Sequence, residues 1–141
     1  MDLELIVEGA QFTLYGIRAG ESLWEFLERL CQDNPAEYAR IDRRLTQMAE
    51  RGPSRHNNEF NDLGNGLFEM KTRGGVRVVF FYDAGHLVIC THGFVKKSKK
   101  TPRKELELAR MRKAAYEQVR EQNGPFRIIV TDDQKEPERK P

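Results

Sequence analysis

Between Leu67 and Thr91 three β-prone runs alternate with two tight-turn signals, Gly74-Gly75 and Asp83-Ala84-Gly85, and this meander constrains the fold more than any other feature. Val76 to Tyr82 is β-branched and aromatic, so it reads as a strand buried between its neighbours, Leu67 to Thr72 and Leu87 to Thr91. A meander of this kind needs an apolar face covered by other elements. Two helices ahead of it and one behind it can supply that cover.

The helix signals are local and chemically specific. Ser22, three residues before Glu25, forms a capping box, and Leu23, Phe26, Leu27 and Leu30 recur at helical spacing up to about Asp33. Asn34 and Pro35 start a second helix with the stripe Tyr38, Ile41, Leu45 and Met48, ending near Gly52 and Pro53. Thr101 and Pro102 are expected to cap a long helix through about Gln122, with Leu108, Met111, Ala115 and Val119 as its buried face. Leu3 to Val7 and Phe12 to Ile17 read as a hairpin, Gly52 to Asn65 as a polar loop, and Phe126 to Val130 as a short strand. With 141 residues, 38% of them apolar, the chain fits one domain over residues 1–130, and Thr131 to Pro141 reads as a polar, disordered tail. The expected class is α+β.

No run approaches the roughly 20 apolar residues that span a bilayer, so no membrane association is expected. Cys31 and Cys90 have no C-x-x-C neighbour and read as buried reduced thiols, which suits a cytoplasmic location. The chain lacks a phosphate loop, H-E-x-x-H and G-x-S-x-G, and His56, His86 and His92 stand apart, so neither a metal site nor a cofactor is expected.

Charge is the informative remainder. From Lys71 to Lys104 there are nine basic residues against one acid, Asp83, although the whole chain carries only +2. Such a stretch can be a solvated surface or a polyanion footprint. Strand alternation places Glu69, Lys71 and Arg73 on one side, and Arg77 can meet Lys71 across the hairpin. One sheet face is therefore expected to carry Lys71, Arg73, Arg77, His92 and Lys96. RNA contains its own nucleophile, the 2′-hydroxyl, so its cleavage needs only a base, an acid and cations around the phosphate. Lysine, arginine and histidine can fill those roles, and the same patch can also bind without cutting.

The run from Gly66 to Gly85, followed by Leu87 to Ala109 with H-G-F-x-K-K-x-x-K-T-P from His92 to Pro102, resembles the phage-derived, HigB-like branch of the RelE/ParE toxin superfamily. The resemblance implies a RelE-like antiparallel β-sheet with two N-terminal helices and one long C-terminal helix. It implies a type II toxin that cleaves messenger RNA in the ribosomal A site, leaving a 2′,3′-cyclic phosphate and a free 5′-hydroxyl. A helix-turn-helix antitoxin would be its partner. By position, Arg77 resembles the phosphate-holding arginine, Lys71 or His92 would deprotonate the 2′-hydroxyl, and Lys96 or Lys97 would protonate the leaving oxygen or brace the phosphate. Arg73, Lys97, Lys99, Lys100 and Arg103 would bind RNA, and Tyr82 is a weaker candidate. The alternatives are a ParE-like DNA gyrase inhibitor and a non-catalytic phage-derived protein that only binds RNA or its partner. The stretch from Phe126 onward extends beyond the family pattern.

Overall fold

A computed structural model of the chain describes residues 1–55, 59–96 and 101–131. The elements run β1 (Asp2–Glu8), β2 (Thr13–Ile17), α1 (Leu23–Asp33), α2 (Pro35–Arg51), β3 (Phe60–Gly64), β4 (Leu67–Lys71), β5 (Val76–Asp83), β6 (Leu87–Val95), α3 (Arg103–Glu121) and β7 (Arg127–Ile129). The expected caps hold for the first two helices. Ser22 Oγ accepts from the Glu25 amide at 3.2 Å, and Asn34 Oδ1 accepts from the Glu37 amide at 3.3 Å, so each side chain satisfies an otherwise orphaned donor.

The strands form one seven-stranded sheet in the order β3-β4-β5-β6-β2-β1-β7. It is mixed, not wholly antiparallel as expected. The hairpin β1–β2 and the meander β3–β6 are each antiparallel, but β2 runs parallel to β6 and β1 parallel to β7. A parallel neighbour requires a long crossover, and the α1–α2 pair with the rest of the meander supplies one between β2 and β6. A second departure is β3, which lies within the segment read as a loop. Phe60-Asn-Asp-Leu-Gly has only two apolar residues, enough for an edge strand that covers little.

Each sheet face has its own cover. Phe26, Leu30, Ile41, Leu45 and Met48 from α1 and α2 pack on Leu14, Met70, Val78, Phe80, Val88 and Cys90. On the opposite face α3 packs Ala109 and Tyr116 against Leu3, Ile17, Leu67, Val79, Phe81 and Ile89. The buried stripe of α3 is thus one position out of phase with the expected one, and Met111 is 65% exposed. Polar anchors set the phase. Arg112 donates to the carbonyls of Thr91 and Ala19, both at 2.8 Å, and Tyr116 and Arg120 both bind the Asp83 carboxylate. Cys90 is buried as expected, whereas Cys31 is exposed at the end of α1. Among the described residues no helix is long and apolar enough to cross a membrane. Apart from Thr131, the tail expected over 131–141 lies outside the described residues.

Candidate nucleic-acid interface

The site grows from the register of the meander. Lys71 lies directly opposite Arg77, Glu69 opposite Val79, and Val79 opposite His92. The last pairing depends on a β-bulge: the register shifts between Val79 and Phe80, which leaves Thr91 as the extra residue on β6. An extra residue restarts the alternation of a strand. His92 and Ile89 consequently sit on the α3 face, while Cys90 and Gly93 look toward α1.

Lys71, Arg77, His92 and Lys96 converge on this face near the start of α3. Arg77 is nearly buried, with its side chain 11% exposed. Its Nη1 donates to the carbonyls of Thr72 at 3.1 Å and Val76 at 3.0 Å. Its Nε lies 3.7 Å from Glu69 Oε1, too far to bond, and is the one buried side-chain polar atom among the described residues without a partner. Burial lowers the Arg77 pKa, and Glu69 opposes the shift. Lys96 is also buried, and its amide donates to the Gly75 carbonyl at 2.8 Å. Burial lowers its pKa first, then the Arg77 charge, partly opposed by Glu69, then Lys71. Loss of solvation and like charges both disfavour the ammonium form.

His92 occupies a different environment from the one expected of a free base. Its ring is 5% exposed and stacks on Phe94 with centroids 5.5 Å apart. Nε2 lies 2.7 Å from Glu105 Oε2 on α3, and Nδ1 lies 3.0 Å from Thr91 Oγ1. Burial lowers its pKa against the pull of the Glu105 carboxylate. Both ring nitrogens are engaged, so His92 fixes α3 to β6 beside the cations.

Three further participants were not named as site residues from sequence, although strand alternation puts Glu69 beside Lys71. Glu69 is 1% exposed and accepts a hydrogen bond from Thr101 Oγ1 at 2.7 Å. Thr101 therefore does not cap α3; the N-cap is Pro102, with no side-chain bond. Glu105 and Arg112 are the others, and only the docking of α3 brings them here. Arg73 also departs from expectation. Because β4 ends at Lys71, the alternation stops there, and Arg73 sits on the α2 side of the turn with Arg40, Arg43 and Arg44. Arg103 is exposed on the first turn of α3 and pairs with Glu107 at 3.1 Å. Tyr82 belongs to the opposite face, where its ring packs against Phe12, Phe68 and Phe80. Lys97, Lys99 and Lys100 lie outside the described residues. Among the described residues no group of three His, Cys, Asp or Glu side chains is arranged to hold a metal ion.

Chemically, the face offers guanidinium and ammonium groups around a buried carboxylate, with one lysine whose proton affinity is reduced. That arrangement can hold a phosphodiester and exchange protons with it. A family model described as Phage derived protein Gp49-like (DUF891) matches residues 25–114, a span that runs from α1 into α3 and includes every candidate site residue. No curated protein matches the chain.

Proposed function

Since the chain belongs to the phage-derived Gp49-like family of the RelE/toxin-like group, a family associated with toxin–antitoxin toxins, we propose that it is a metal-independent messenger endoribonuclease acting at the ribosome. The observation that carries this reading is the convergence of Lys71, Arg77 and Lys96 from two adjoining strands and the segment after β6. Arg77 would hold the non-bridging oxygens of the scissile phosphate. Lys96, the lysine with the lowered pKa, is better suited than His92 to take the 2′-hydroxyl proton. The 2′-oxygen then attacks phosphorus, the bond to the 5′-oxygen breaks, and Lys71 protonates that leaving oxygen. The products are a 2′,3′-cyclic phosphate and a 5′-hydroxyl. Lys97, Lys99, Lys100 and Arg103 would bind the messenger by their positive charge, and a helix-turn-helix antitoxin is the proposed inhibitor.

The test is induced expression of the intact chain and of Arg77→Ala in bacteria, with messenger 5′ ends mapped alongside growth and the folding of both proteins checked by thermal melts. New ends inside translated regions that require Arg77 support the reading. Growth arrest with DNA damage and intact messenger points instead to gyrase. The engagement of both His92 nitrogens favours one second reading, binding without cutting, which predicts a harmless chain when expressed alone.

A further inference from the structure

Beyond the catalytic face, the other side of the β4–β5 turn carries a second concentration of cations. Arg40, Arg43 and Arg44 are three and four residues apart on α2 and so share a helix face. With Thr72 and Arg73 they line an open surface groove. Two of the arginines are already neutralised and held: Arg40 pairs with Glu37 at 2.6 Å, and Arg44 pairs with Glu59 at 3.1 Å. Thr72, which also lines the groove, donates its Oγ1 hydrogen to Glu37 at 2.5 Å. Arg43 and Arg73 are exposed, and no ion pair among the described residues engages either one.

The groove adjoins the proposed catalytic face through the backbone of the β4–β5 turn. Arg44 Nε donates to the Lys71 carbonyl at 3.4 Å, and the Thr72 carbonyl accepts from Arg77. Arg43 and Arg73 bring exposed guanidinium groups whose charge no carboxylate among the described residues offsets, and planar guanidinium forks match the oxygens of a phosphate. Resting on the nuclease reading above, we infer that the groove of Arg40, Arg43, Arg44 and Arg73 is a second phosphate site, which grips the RNA backbone next to the scissile bond. It reads no base. It sets the path of the strand across the turn, so that the phosphate presented to Arg77 is held from two sides.

The inference is tested with the intact chain and a short unstructured RNA whose 2′-hydroxyls are methylated, which binds but cannot be cut. Affinity is measured against salt for the intact chain, for Arg43→Ala with Arg73→Ala, and for the corresponding double lysine form. Each lost phosphate contact should reduce the salt slope by about 0.7, hence about 1.4 for the alanine pair, with binding weaker by about tenfold or more. The lysine pair should retain most of the slope. An intact chain that fails to bind at low salt, or an alanine pair that folds and binds with an unchanged slope, overturns the inference. So does a loss confined to binding of poly-glutamate, which would assign the groove to an acidic polypeptide. Because the probe cannot be cut, binding through the groove without messenger cleavage would remove only the nuclease reading. Cleavage with indifferent binding would remove only this inference.

Discussion

Replacing Glu69 by alanine tests whether the cationic face is held together by its one buried carboxylate. Glu69 is 1% exposed, 3.7 Å from the Arg77 guanidinium and hydrogen-bonded to Thr101. Breaking a buried ion pair costs about 3–5 kcal/mol, because the surviving charge stays buried. The separation exceeds bonding distance and Arg77 retains two carbonyl partners, so the lower figure applies, and about 3 kcal/mol corresponds to a fall in Tm of about 10 °C. Against a domain stability of about 5–15 kcal/mol, the variant remains folded. Arg77→Ala should cost a similar amount by stranding Glu69. The double variant removes both charges and should cost about 4 kcal/mol rather than the sum, a coupling of about 2 kcal/mol. Urea melts of the four proteins measure that coupling. A value under about 0.5 kcal/mol would show that Glu69 does not compensate Arg77, and the account of the site's electrostatics would fail with it.

Three other outcomes follow from the same structure. Gly75→Ala should reduce activity more than removal of one methyl-sized contact would suggest: at φ +94 the new Cβ would stand 2.1 Å from the Lys96 carbonyl, displacing the backbone that carries Lys96, and a cleavage assay beside a thermal melt separates the two losses. The His92 pKa lies below 6.5, so the folded state binds fewer protons than the unfolded chain. Stability is complete above pH 6.5 and declines as pH falls toward the folded pKa; His92→Gln should flatten that decline, and equal slopes for both proteins would refute the assignment. Finally, a thiol reagent should modify exposed Cys31 in the native protein, while Cys90, whose thiol burial pushes up to about 12, reacts only on unfolding.

Much of the architecture is legible wherever the signal is local. The caps at Ser22 and Asn34, the turns at Gly74-Gly75 and Ala84-Gly85, and the opposition of Lys71 and Arg77 all follow from short-range spacing. What is not legible depends on partners distant in sequence. The phase of α3 is fixed by Arg112 and Tyr116 reaching polar groups on the sheet, so counting apolar residues selects Leu108 and Ala115 instead of Ala109 and Tyr116. Phe60 to Gly64 has no pattern of its own and becomes a strand because β4 offers an edge. Arg73 leaves the cationic face because the strand stops two residues earlier than simple alternation assumes. Glu105 and Thr101 enter the site only when α3 lies over β4 and β6.

The parallel contact of β2 with β6 joins Thr13 to Leu87, whereas β4, β5 and β6 meet through tight turns between consecutive segments. Pairings remote in sequence close slowly, since the loop entropy is lost before the contact forms. The cation-bearing meander is thus a local unit able to assemble early, and the slow event is the arrival of a hairpin that carries none of the chemistry. Substitutions in β1 and β2 would then act as a timer. They would lengthen or shorten the interval in which a nascent chain is exposed to proteases and chaperones, while leaving every group proposed to meet RNA unchanged.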